Sequence, residues 1–284
     1  MPIRPSRILA LAILISVAGC GGGTAATRSS GASPTVPASA PSTGWSPARI
    51  DTYQWQLSGT IDTTIAASVY DLDAFDTAAQ TVTALHQLGR HVVCYVDTGT
   101  YENWRPDAPS FQANPVVIGS PDSGWPGEYW LDIRRIDILG PIVEARFDLC
   151  KAKGFDAIEP DNIDGYQNQT GFPLTATDQL TYNRWLAAQA HARGLGIALK
   201  NDSDQASALE PSFDWSLDED CYAQGWCAAL APFTTAGKAV VAVEYDDALT
   251  PAQFAAGACP AAALGGYQTI LKHRLLDAWR QSCP

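Results

Sequence analysis

The chain has 284 residues, with 18 basic and 30 acidic side chains and a formal net charge of −12. Apolar residues make up 46 % and charged ones only 17 %, a balance that buries the core of one large domain or two small ones and excludes a solvated disordered chain. The acidic excess also argues against a nucleic-acid partner, because phosphate binding needs Lys and Arg in surplus.

Arg4 and Arg7 lead into an apolar run, residues 8–17, which is followed by Ala18-Gly19-Cys20. A basic start, about ten apolar residues and small residues before a cut form the grammar of a secretory signal. The run is too short to span about 30 Å of hydrocarbon. Cys20 directly after small residues resembles the bacterial lipoprotein box. That resemblance implies a lipoprotein signal peptide over 1–19, a diacylated Cys20 and anchoring on the outer face of the cell membrane. Without the lipid the chain would be secreted. Residues 20–44 are rich in Gly, Ser, Thr, Ala and Pro and read as a flexible tether, so the folded domain is expected over 45–284.

Within that domain, short apolar runs recur at 53–57, 66–70, 91–97, 129–133, 157–159, 196–200, 215–217, 238–245 and 268–271. Helical patterns lie between several of them. One carries Phe75, Ala78, Ala79, Val82 and Leu85 on one face and stops at Gly89. A second opens at Pro141, carries Ile142, Val143 and Phe147, and stops at Gly154. A third starts from a Thr177 cap, carries Tyr182, Trp185, Leu186 and Ala190, and stops at Gly194. Alternating strands and helices imply a parallel sheet. With about 240 residues, the pattern predicts a single (β/α)8 TIM-type barrel. A doubly wound sheet is the alternative, but its GxGxxG and P-loop glycines are missing. Nine runs are one too many for the barrel, and the surplus falls on 66–70 or 268–271.

Six cysteines follow Cys20, an even count that suggests three disulfides in an exported chain. Sequence proximity favours Cys221–Cys227 and Cys259–Cys283, which leaves Cys94–Cys150. A metal site is disfavoured: no CxxC pair occurs, and the four histidines are scattered. No metal or other cofactor is expected.

The strand-like runs end in polar residues: CYVD (Asp97), WLDI (Asp132), IEPDNID (Glu159, Asp161, Asn162, Asp164), ALKND (Lys200, Asn201, Asp202), SLDED (Asp218, Glu219, Asp220) and VEYDD (Glu244, Tyr245). In a barrel, the active site is built at the C-terminal ends of the strands. Single carboxylates there, such as Asp71 or Asp202, serve equally as helix caps. Six such ends together point to chemistry, and paired carboxylates in a barrel mouth suit glycoside hydrolysis. Trp55, Tyr70, Tyr95, Tyr101, Trp104, Trp130, Tyr166 and Tyr222 lie near strand ends, where sugar rings could stack on them; core packing is the alternative for each.

The segments YQWQLSG, VYDLDAFD, CYVDTGTYENWRPD, GEYWLDI, GFDAIEPDNIDGYQNQTGF, GLGIALKND and SLDEDC together resemble glycoside hydrolase family 114, from about Trp45 to about Tyr245. The resemblance implies a (β/α)8 barrel that cuts α-1,4-linked galactosamine polymers by a retaining two-carboxylate mechanism, with Asp161 as nucleophile and Glu219 as general acid/base. The sequence departs from the family at Asp97, where members often carry serine or alanine, and this adds a carboxylate. The residues alone leave Glu159 and Asp164 equally eligible for Asp161's role. The candidate substrate-binding set is Trp55, Tyr70, Asp71, Tyr95, Asp97, Asp132, Glu159, Asn162, Asp164, Lys200, Asn201, Asp218 and Tyr245. Asp97, Asp132, Glu159, Asp164, Asp218 and Glu244 are expected to meet the ammonium groups of a cationic amino-sugar polymer, and Lys200 to hold Asp161 ionised or to bridge two acids. A monomer is expected, with the lipid as its only link to the membrane. Two other functions compete: a non-catalytic glycan-binding lipoprotein on the same barrel, which would need no intact acid pair, and a divalent-cation protein, which Lys200 opposes.

Overall fold

A computed structural model describes residues 44–283; the expected signal segment, Cys20 and nearly all of the tether lie outside them. Among these residues, no helix is long and apolar enough to cross a membrane. The strands are β1 (Tyr53–Gln56), β2 (Val69–Asp73), β3 (His91–Asp97), β4 (Thr100–Glu102), β5 (Ile118–Pro121), β6 (Glu128–Leu131), β7 (Ala157–Asp161), β8 (Gly196–Lys200), β9 (Trp215–Glu219), β10 (Val240–Tyr245), β11 (Gln268–Lys272) and β12 (Arg280–Ser282). Eight of them, β1–β3 and β7–β11, pair in parallel in chain order. Antiparallel β12 lies on β11, and the segment leading into it reaches the opposite edge. The Leu57 and Ser58 amides donate to the Leu276 carbonyl, and the Arg280 guanidinium donates to the Tyr53 carbonyl. The result is a nearly closed (β/α)8 TIM-type barrel.

The surplus strand is therefore neither 66–70 nor 268–271 but 129–133. Its residues form β6, which pairs antiparallel with β4 and β5 in a separate three-stranded sheet. A side-chain period of two is common to both kinds of sheet, so the pattern could not separate them. This small sheet leaves the barrel just after β3, at the C-terminal face.

Each barrel strand buries both faces. Tyr53, Trp55, Val93, Ala157, Ala198, Trp215, Leu217 and Val243 fill the interior. Leu72, Val92, Ile158 and Ile197 pack outward against helical residues such as Phe147 and Leu186. At the start of β8, a Cβ on Gly196 would stand 2.0 Å from the Trp45 carbonyl oxygen, so only glycine lets the incoming chain cross there.

Two helix starts differ from expectation. Helix Ile136–Lys153 begins before Pro141 and carries it inside. Pro141 removes one backbone donor, but Leu139 joins a buried cluster with Tyr101, Phe111 and Leu131 that holds the preceding turn in place. The helix Ala176–Ala192 is capped by Thr175, not Thr177: Thr175 accepts from the Asp178 amide while the Asp178 carboxylate accepts from the Thr175 amide. The disulfides are Cys221–Cys227 and Cys259–Cys283, the pairs that proximity favoured, and Cys94–Cys150, the pair that was left. Three disulfides fit an exported protein.

Candidate active site

Alternation along the strands turns Asp71, Tyr95, Glu159, Asp161, Lys200, Glu219 and Tyr245 toward the barrel axis. Lys200, at the end of β8, stands at their centre and is only 1 % exposed. Its Nζ lies 2.9 Å from Asp161 Oδ1, 3.0 Å from Glu159 Oε1 and 3.2 Å from Glu219 Oε2. The Trp55 ring lies 4.6 Å from the same nitrogen. An ammonium this deep is tolerable only among anions.

Asp161 and Glu219 are held in the same manner. Asp161 Oδ1 accepts from Lys200 and from the Asn162 amide at 2.9 Å, and its Oδ2 accepts from the Tyr95 hydroxyl at 2.9 Å. Glu219 Oε2 faces Lys200 and accepts from Asn201 Nδ2 at 3.1 Å, and its Oε1 accepts from the Tyr245 hydroxyl. The two asparagines directly after β7 and β8 sit at φ 59° and 56°, a left-handed conformation that Asn tolerates better than most residues. A Cβ on Gly99 would stand 1.6 Å from the Asn162 carbonyl oxygen, so glycine there lets the β3 loop lie against the Asp161 turn. Burial alone would raise the Asp161 carboxyl, but the Lys200 ammonium, with bonds from Tyr95 and Asn162, holds it below the ordinary carboxylate range.

Beneath Lys200 lie Asp71 and Glu159, both at 0 % exposure. Tyr53 donates to Asp71 Oδ2 at 2.7 Å. Among the described residues, Asp71 Oδ1 and Glu159 Oε2 meet no hydrogen-bond donor. Burial pushes Asp71 up to about 7, and burial with the neighbouring Asp71 pushes Glu159 well above its ordinary value.

Several expected substrate contacts are corrected by this geometry. Tyr70 points away from the axis and donates to the Ile65 carbonyl. Asp218 shares that outward phase and accepts from Ser216. Glu244 accepts from the Tyr222 and Ala223 amides, and so caps the turn after β9. Asp132 follows β6 of the small sheet and is bound by Arg134 at 2.7 and 2.8 Å. Trp55, Asp71 and Glu159 are enclosed beneath Lys200, where Trp55 and Glu159 contact its ammonium and Asp71 accepts from Tyr53. Asp97 accepts from Thr100 and, at 3.1 Å, from Asn162 Nδ2. Burial first, then the charges of Glu102 and Asp161, push it up to about 8, so it adds little negative charge at neutrality. Of the six acids expected to meet ammonium groups, Asp164 alone stays half-buried within electrostatic reach of Asp161 and Glu219.

Tyr95, Tyr101 and Trp130 are core residues, whereas Trp104, in the turn after β4, is 53 % exposed. The sequence reading missed Thr100 and Glu128. Thr100 bridges Asp97 to Glu128 Oε2, with the Glu128 oxygen 3.1 Å away. Both residues lie in the quoted segments, but they belong to no barrel strand, so the strand-end rule passed over them. Cys221, Cys227 and Glu244 come together among the described residues, but the two sulfurs are bonded to each other.

In fold, the domain is similar to Ega3 from Aspergillus fumigatus, solved in complex with galactosamine: 35 % identity, a TM-score of 0.79, and coverage of 84 % of this chain and 97 % of that one. The glycoside hydrolase domain of PelA from Pseudomonas aeruginosa shares the fold at 14 % identity and a TM-score of 0.64, covering 82 % of this chain and 98 % of the other. No curated protein sequence matches. The model of glycoside-hydrolase family GH114 matches residues 34–284, beyond both ends of the stretch 45–245 over which the resemblance was read. By that match and by its likeness to Ega3, the chain belongs to glycoside-hydrolase family GH114 and is a glycoside hydrolase.

Proposed function

We propose that this enzyme cleaves α-1,4-linked galactosamine-containing polysaccharide by a retaining double displacement, with Asp161 as nucleophile and Glu219 as general acid/base. The observation that carries this reading is the single Lys200 ammonium within 2.9 Å of Asp161 and 3.2 Å of Glu219. The Asp161 and Glu219 oxygens on Lys200 can be no farther apart than those two lengths combined, so both acids flank one point at the barrel mouth, as a retaining pair must. Asp161, kept ionised, suits attack on the anomeric carbon. Glu219, from a different strand, stands where it can protonate the leaving oxygen and later activate water. The bound galactosamine of Ega3 supports an amino-sugar substrate. Digestion of de-N-acetylated and N-acetylated α-1,4-galactosamine polymers, with the first-formed anomer followed by NMR, tests the reading. Products of inverted configuration would overturn the retaining assignment.

The same reading extends to the N-terminus: residues 1–19 as a cleaved signal, Cys20 as the lipid anchor and the following tether as the link to a domain beginning at 45. Cys20→Ser should move the protein from the membrane to the soluble fraction. Unchanged fractionation would overturn the anchor.

A further inference from the structure

Resting on the retaining reading, the charge in this site must move during turnover. In the first half, Asp161 Oδ2 bonds to the anomeric carbon as the glycosidic C–O bond breaks. The Glu219 proton passes to the leaving oxygen. Asp161 is then a neutral ester and Glu219 a carboxylate. In the second half, Glu219 takes a proton from water, the water oxygen bonds to the anomeric carbon, and the ester C–O bond breaks to return the Asp161 carboxylate. The pair thus carries one negative charge in both resting forms, first on Asp161 and then on Glu219.

Lys200 reaches both positions without moving, since its Nζ already contacts Asp161 Oδ1 and Glu219 Oε2. It binds only one oxygen of each acid. The Asn162 and Asn201 amides hold those same oxygens, which leaves Oδ2 and Oε1, each bonded to a tyrosine hydroxyl, as the working atoms. A third contact, to Glu159 Oε1 at 3.0 Å, comes from a fully enclosed carboxyl. Trp55 closes one side. We propose that Lys200 is the shared counter-ion of the double displacement, a positioning residue that faces whichever of Asp161 and Glu219 is charged, and that Glu159 pins it between them.

Asp161 is faced by Asp71 from β2, by Tyr95 and Asp97 from β3, and by Glu128 from the small sheet. Glu159 from its own strand and Asp164 from the following loop add like charge, while Lys200 is the cation set against them. Glu219 and Tyr245 complete the ring through Lys200. Without Lys200, burial and these acids raise the Asp161 carboxyl, so activity is lost at a higher pH.

The test uses K200M, K200R and E159Q with an aryl α-galactosaminide whose leaving group needs no acid. K200M should lose on the order of 10²-fold in kcat, and the acid limb of kcat/KM should move up by about one pH unit or more. K200R should bring the limb back toward the wild type. E159Q should lower kcat roughly tenfold at unchanged KM and melting temperature. A K200M enzyme with wild-type kcat and limb overturns the proposal, as does equal impairment of K200M and K200R with an unmoved limb, which marks a packing role. Should K200M fail to fold, wild-type kcat in E159Q overturns it. The retaining reading is tested separately, by trapping wild-type enzyme with a 5-fluoro glycosyl fluoride and mass-mapping Asp161. No adduct sinks that reading, whereas an adduct with an indifferent K200M sinks only the role of the lysine.

Discussion

Asp164→Asn tests how the enzyme tells an ammonium from an acetamide. Asp164 lies in the loop after β7, half-buried, with Asn168 Nδ2 3.4 Å from its Oδ1. Burial, followed by the charge of Asp161, pushes its carboxyl up to about 6 against the opposing pull of Lys200. The group is therefore a carboxylate above about pH 6 and neutral below it. A charge-assisted hydrogen bond from a ring ammonium is worth about 1.5–3 kcal/mol, and about 1.4 kcal/mol is a factor of ten. Asp164→Asn should lower kcat/KM on the amine polymer by roughly 10–150-fold and leave the N-acetylated polymer unaffected. In the wild type, the ionised fraction falls about tenfold between pH 7 and pH 5 for a group titrating near 6, so the amine preference should shrink by that factor. The assay is kcat/KM on both polymers from pH 5 to 8. Equal losses on the two polymers in the variant, or a preference flat across that range, would refute the reasoning.

Asp161→Asn and Glu219→Gln should each abolish hydrolysis with melting temperature little changed; turnover surviving in either would remove that residue from its role. The double substitution C94A/C150A opens a 56-residue separation between β3 and the helix Ile136–Lys153 and should cost about 4 kcal/mol, against about 2 for C221A/C227A across six residues. Calorimetry that ranks the two the other way contradicts the loop-entropy account. Trp104→Ala removes an exposed ring packed over Gly127 and should raise KM on the amine polymer about 2–5-fold at unchanged kcat, the scale of an exposed cation–π contact. An unchanged KM excludes Trp104 from the substrate groove.

The sequence by itself determined the class of fold and the chemical inventory of the site. Strand-like runs separated by helical faces imply a parallel sheet, and nine such runs in about 240 residues fit a barrel with one run to spare. Acids at the ends of those runs then meet at one face, which gathers Asp161, Glu219 and Lys200 with other candidates, and the family resemblance singles out the first two. Pairing by proximity succeeded for Cys221–Cys227 and Cys259–Cys283, which are 6 and 24 residues apart, and elimination then left Cys94–Cys150.

Only the tertiary structure decided which member of each polar pair faces the axis. Tyr70 and Asp71 are neighbours, as are Asp218 and Glu219, and the pleat sends one of each inward and the other outward. The phase is set by register against adjacent strands, as when Asp71 pairs with Val93 and Asp97 with Asp161, and register is not written in either strand alone. The same holds for charge. Asp97, Asp71 and Glu159 read as anions in the sequence, yet burial, with neighbouring carboxyls beside Asp97 and Glu159, pushes them up, while Asp161 is held down by Lys200 together with the Tyr95 hydroxyl and the Asn162 amide. A carboxyl's protonation is settled by what surrounds it in space, and at this barrel mouth those surroundings come from β2, β3, β7, β8 and β9, residues far apart in the chain.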